Sequence, residues 1–396
     1  MKRLFLFENF FASVSVLATI FIVSFLPDIF EPFDPVEKVF SDMDISDLYY
    51  SHLKANQEID TNIVIVNLGE NRGTIAKQLK IISSFNPAVI GLDVYFLRYL
   101  DLYSDIPLMK ELSKIKNKVM ASYFFNSLAG AYTILNPDTL IMSKNGFMIE
   151  NDKHGFINFM GDGTYRTIRY FNPKIEFQDS TYYAFSVAIA NIFDSSAVIE
   201  FLERNNETEA INFRGDFRKF KFFDVDEILD SLHDKSLLKN KIVLLGYHGE
   251  SLCDSLSCDD KYYTPLNDNY IGRSLPDMYG VTIHANIVSM ILNGRFITVL
   301  PKYIVWFIAF FLCYINIIFF RFIELKHPQY FGGEIKIFVL LECMFLLFIF
   351  LWILDIFSLK INMVPILFTL FFAPDISEIY FSSGKKLYNF IKKKIS

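Results

Sequence analysis

The sequence predicts an α/β protein: a domain with a mainly parallel sheet covered by helices, joined to four transmembrane helices, one N-terminal and three C-terminal. Three observations carry that expectation. Hydrophobic residues make up 52% of the chain and aromatics 17%, with 44 Phe, which is more apolar than an ordinary soluble protein. Four apolar stretches approach the roughly 20 residues that a hydrocarbon core of about 30 Å requires. Between the first two, strand-like runs apolar on both faces alternate with amphipathic helical stretches, the pattern of a sheet buried on both sides.

The apolar stretches are Leu4 to Leu26, Tyr303 to Phe320, Ile337 to Leu354, and a run over about 357–373. The first is longer than the apolar core of a signal peptide, and no A-x-A-like site follows it, so it reads as an uncleaved anchor. The chain thus divides into an anchor (1–26), a large domain (27–301), three transmembrane helices (302–375) and a short basic tail (376–396). Lys2 and Arg3, then Arg321 and Lys326, then Lys385, Lys386 and Lys392 to Lys394 fall on one side of a four-pass chain. The positive-inside rule assigns that side, with both termini, to the cytoplasm and the large domain to the outer side. Glu8 and Lys360 lie near span ends, where they can snorkel, while Glu342 sits inside its span, near an interface or facing another helix.

Charge narrows the partners. The segment from Pro27 to Pro301 holds 26 of the 38 Lys+Arg and 37 of the 44 Asp+Glu, a net of −11. An acidic outer domain argues against nucleic acid and against docking on anionic lipid. Its only cysteines, Cys253 and Cys258, favour a local disulfide in an oxidising compartment over free thiols. A zinc site is the weakest option, because His248 is the only other nearby ligand.

Within the domain the elements follow in order. `SDMDISDLYY` places Asp42, Asp44 and Ser46 like the start of a calcium loop, but Asp47 and Leu53 occupy the positions that need Gly and Glu. It reads instead as a solvated helix start. Asn62–Gly69 is a buried strand, and Arg72–Phe85 a helix with Ile75, Leu79, Ile82 and Phe85 on one face. Ala88–Phe96 is a second strand, Pro107–Ile115 a helix and Lys118–Phe125 a third strand. His154–Phe171 holds a Gly-Asp-Gly turn between strand-like runs, and Ser180–Phe193 reads as a helix with a Ser or Thr cap. Ala210–Gly215 and Lys241–Gly249 read as strands. The helix around `TIHANIVSMI` sets His284, Ile287, Val288 and Ile291 on one apolar face.

In open parallel sheets ligands gather beyond the carboxyl ends of the strands. Asn67, Glu70, Asp93, His248, Thr264, His284 and Asn286 are the polar residues expected there, and they are the candidate ligand-binding set. Pairing Asp93 or Glu70 with His248 or His284 would make an acid and base. Yet the chain has no G-x-S-x-G, no Walker loop, no G-x-G-x-x-G after the first strand and no H-E-x-x-H. No catalysis, cofactor or metal is therefore expected. His284 shares the apolar face near a helix N-terminus, where imidazolium is disfavoured, so a neutral hydrogen-bonded ring is expected.

These pieces resemble the type-two CHASE family, the cyclase/histidine-kinase-associated sensory extracellular domains. `YGVTIHANIVSMILNGRFI` is similar to its closing signature through Gly280, His284, Ala285, Asn286, Leu292 and Gly294. `IVIVNLGE` and `VIGLDVYF`, with Asp93 and Phe96, are similar to its first two strands. `GFINFMGDGTYR` supplies Asn158, Asp162, Gly163 and Arg166, and `KIVLLG` with Thr264-Pro265 completes the order. Asn67 departs from the pattern, which has an acidic residue there. The resemblance implies a bacterial inner-membrane sensor of an envelope signal, with the periplasm on the domain's side. Only about 20 residues follow the last span, so no output domain is expected in the chain. The expected partners are the lipid bilayer, a separate signalling or envelope protein and a second copy of the chain. A structural subunit of an envelope complex and an outer-side hydrolase using Asp93 remain as alternatives.

Overall fold

Aliphatic strands capped by short polar turns build the larger part of the molecule. The computed structural model describes residues 2–23, 44–125, 137–148, 152–162, 167–230, 234–249, 260–267, 275–326 and 333–395, without the side chains of 2–6, 160–162 and 384–395. The chain forms two units, one of Ser41–Ile297 and one of Met1–Phe40 with Thr298–Ser396.

After α1 (Lys2–Val23), which belongs to the second unit, come α2 (Ile45–Leu48), β1 (Asp60–Asn67), α3 (Arg72–Ser84), β2 (Val89–Leu92), α4 (Leu102–Lys114) and β3 (Lys118–Phe125). There follow β4 (Thr139–Ile141), β5 (Lys153–Phe156), β6 (Met160–Asp162), β7 (Thr167–Phe171), β8 (Lys174–Phe177) and β9 (Ser180–Tyr183). Then come α5 (Phe185–Phe193), α6 (Ser195–Glu203), β10 (Glu209–Ala210), β11 (Phe220–Phe223) and α7 (Val225–Leu229). The unit closes with β12 (Ile242–Gly246), β13 (Lys261–Tyr262), β14 (Met278–Tyr279) and α8 (Gly280–Leu292).

The main sheet runs β11-β1-β12-β2-β3, with β5 and β4 both on β3. Every pair is parallel except β3 with β4. Alternate side chains therefore enter opposite cores. Val64, Val66, Ile90, Leu92, Val243 and Leu245 pack with Leu79 and Ile82 of α3 and Leu108 and Leu112 of α4. On the other face, Gly91 leaves room for Ile189 and Phe185 of α5, and α8 lies against β1 and β12. The α/β part of the expected fold class, a mainly parallel sheet covered by helices, is thus the observed one.

Several boundaries differ from the sequence reading, each for a local reason. From Asp44 onward, where it is described, the `SDMDISDLYY` segment is a helix start with Asp44 as N-cap, but not a solvated one. Asp47 pairs with the buried Arg169 at 2.6 Å. Helix α4 starts before Pro107 because Asp101 caps it through Ser104 N–H at 2.8 Å and the buried Asp105 pairs with Arg72. Residues 180–183 form a hairpin strand with β8, since Gln178 and Asp179 both take positive φ (48° and 61°) in a two-residue turn. Of the strand expected over Ala210–Gly215, only Ala210 lies in a strand, β10, which pairs with β7.

The second unit contains α1, β15 (Thr298–Val299), α9 (Lys302–Lys326), α10 (Gly333–Phe357), β16 (Leu359–Lys360) and α11 (Val364–Ile395). Three of its helices, Lys302–Lys326, Gly333–Phe357 and Val364–Ser383, are long and apolar enough to cross a membrane, and 7–23 is a shorter apolar helix. Ala12, Val16, Cys313, Ile317, Val339 and Ala373 pack together in this unit. Glu342 accepts from Asn316 of α9 at 2.8 Å, and Arg321 pairs with Glu8 at 2.8 Å.

Candidate functional site

The carboxyl edge of the main sheet meets the start of α8. Strand β2 ends at Leu92, and the next residue, Asp93, donates its backbone N–H to Leu245 of β12 at 2.8 Å. Two glycines let α8 come in close. A Cβ on Gly246 would sit 2.6 Å from Val281 Cβ and 3.2 Å from Asp93 Cβ. A Cβ on Gly280 would stand 3.3 Å from both carboxylate oxygens of Asp260. The β13–β14 pair, Lys261 with Tyr279 and Tyr262 with Met278, leads directly into the helix.

Between these elements lies a cavity of about 570 Å³, whose lining includes Asp93, Tyr95, Phe159, Tyr247, Asp260 and Tyr262. Asn158 also lines it, but its amide is engaged with Phe124, accepting from the N–H at 2.8 Å and donating to the carbonyl at 3.0 Å. The Asp93 carboxyl makes no hydrogen bond or ion pair among the described residues, and burial, with Asp260 beside it, pushes it well above the usual range. Asp260 keeps an exposed flank, yet protein packs closely enough around its carboxyl to push it up to about 6. Among the described residues, no three His, Cys, Asp or Glu side chains gather as a metal site would require.

The other residues expected at this edge are placed as follows. Asn67 is buried and joins three loops: its amide donates to Asp224 and to the Gly249 carbonyl, both at 2.9 Å, and accepts from His248 N–H at 2.9 Å. The His248 ring is buried among Phe217, Phe222 and Tyr279, and burial pushes it down to about 4. Glu70 is exposed on the loop after β1. Thr264 bonds Asp277 through both its hydroxyl and its N–H, which fixes the Thr264-Pro265 turn. His284 is buried, with Nδ1 2.8 Å from Ser186 Oγ and its ring against Phe159 and Phe185, and burial pushes it down to about 3. Asn286 accepts from Arg214 N–H at 2.7 Å and donates to the Gly215 carbonyl at 2.9 Å.

Of the seven, Asp93 alone lines the cavity, and neither histidine does. Cys253, Cys258, Gly163 and Arg166 lie outside the described residues. Sequence reasoning missed Asp260, Tyr95, Tyr247 and Tyr262. Tyr95 carried a signal, standing two residues after Asp93, and so did Tyr247, the first residue beyond β12. Asp260 and Tyr262 carried none, because only the pairing of β13 with β14 brings them to the edge.

The family model described as the CHASE2 domain matches residues 43–323, more than half of the chain. No curated protein matches the chain, and no solved structure does.

Proposed function

The chain belongs to the CHASE2 family of sensory extracellular domains, and on that premise we propose a membrane-anchored sensor whose recognition site is the Asp93 cavity. One observation carries the reading. The cavity's Asp260 and Tyr262 lie at β13, which pairs with β14, the strand that runs into α8, and the Asp260 carbonyl accepts the Gly280 N–H at 3.1 Å. A ligand that draws on these residues acts on the first turn of α8, and only residues 293–301 separate that helix from α9 along the chain.

In this proposal four helices cross a bacterial inner membrane, both termini are cytoplasmic and the domain faces the periplasm. The charge pattern of the flanking lysines and arginines supports that orientation. Output passes through the membrane helices to a separate signalling or envelope protein, with a second copy of the chain as a further partner. Binding shifts the population of two arrangements of the α8 start rather than creating a new one.

The test uses the full-length protein in nanodiscs. After incubation with periplasmic extract, native mass spectrometry should find a retained small molecule in the wild type and its loss in the Asp93→Asn, Tyr262→Ala double variant. If nothing is retained and crosslinking captures no envelope protein, the sensor reading falls.

A further inference from the structure

We propose that the Asp93 cavity takes a small organic cation, an ammonium or guanidinium, held by Asp93 and Asp260 among the rings of Tyr95, Tyr247 and Tyr262. This rests on reading the cavity as the recognition site, and adds the chemical class of what it recognises.

Four features of the lining converge on that class. The described lining holds two carboxyl groups and no basic side chain, so it offers an anionic ligand no compensating charge. The Asp93 carboxyl, half-buried on the cavity wall, has no hydrogen-bond donor among the described residues, so its oxygens are open to donors from a ligand. An ammonium or guanidinium supplies both the missing donors and the compensating charge. Aromatic rings around the acids add cation–π attraction, which a neutral polyol would not gain.

Size separates this class from a bare metal ion. A volume of about 570 Å³ fits the range for small-molecule sites, roughly 300–1,000 Å³, and two carboxylates are short of the oxygen set that calcium requires. The upward push on both acids acts in the same direction. A like-charge pair that holds a proton when empty gives it up to a cation, so the empty cavity remains affordable to the fold.

Isothermal titration of the full-length protein in nanodiscs decides the matter, with putrescine, methylammonium and arginine as probes. 1,4-Butanediol, succinate and magnesium chloride serve as the neutral, anionic and metal comparisons. At least one organic cation should bind saturably, and Asp93→Asn should weaken it tenfold or more. Asp260→Asn, at a partly exposed position that tolerates change, should weaken it in the same direction. Melting in the absence of ligand shows that each variant is folded. The inference is overturned if no organic cation binds, if only magnesium binds, or if both variants bind like wild type. Saturable succinate or butanediol binding that Tyr262→Ala abolishes would also overturn it, while leaving the recognition site itself standing. Failure of the extract experiment above would instead remove the site.

Discussion

Asn67 and His284 show how much a single side chain can be committed before any ligand arrives. The Asn67 amide donates to the Asp224 carboxylate and to the Gly249 carbonyl. An acidic residue there would replace both donors with oxygen lone pairs. Asn67→Asp should therefore cost about 2–3 kcal/mol by leaving buried acceptors facing each other, read as a fall in melting temperature. His284 gives a pH signature. The unfolded chain takes up a proton below 6.5, whereas the folded ring stays neutral down to about 3, so acid favours unfolding over that interval. From pH 7 to pH 5 this ring should lose about 2 kcal/mol of its stabilising contribution. The wild-type advantage over His284→Gln should shrink by that amount in denaturant melts at the two pH values, whereas a constant gap would refute the buried neutral ring. Neutrality was legible from an imidazole on an apolar helical face. Its partner Ser186, 98 positions away, was not, because a long-range hydrogen bond leaves no local pattern.

Helix α8 joins the carboxyl edge of the sheet to the chain that leads into α9. Its spacing suggested one apolar stripe, yet residues 280–291 are buried all round. The polar flank is buried with partners: Ser289 donates to Asp60 at 2.6 Å, and Asn286 bridges the backbone of Arg214 and Gly215. Asn286→Ala should cost about 1–3 kcal/mol by orphaning those groups, measured by urea unfolding of the full-length protein. Gly246→Ala should cost a similar amount, because its Cβ would overlap Val281 and force the strand end and helix start apart. A variant as stable as wild type would mean that the close approach is unimportant. The parallel strands were readable because they are apolar on both faces, and their helices because of caps and periodicity. The β8–β9 hairpin was not, since `STYY` suits a strand or a helix start until the positive φ of Gln178 and Asp179 decides.

For the whole molecule, the fold class and family were legible, since both rest on ordered motifs spread over hundreds of residues. Most of the cavity was not, because it is assembled from strand ends, a loop after β5 and a two-residue strand pair. Topology has a direct check in a background lacking the native cysteines. Glu176→Cys, exposed on β8, should react with an impermeant maleimide in spheroplasts, and Lys394→Cys, in the basic tail, only after lysis. The opposite labelling would reverse the proposed orientation. On the proposed function, cavity occupancy changes the start of α8. Hydrogen–deuterium exchange of the full-length protein in nanodiscs, with and without the molecule retained from periplasmic extract, tests it most directly. Protection should change across residues 275–301 in wild type and stay the same in Asp93→Asn. Retention of the molecule with unchanged exchange across that segment would contradict it.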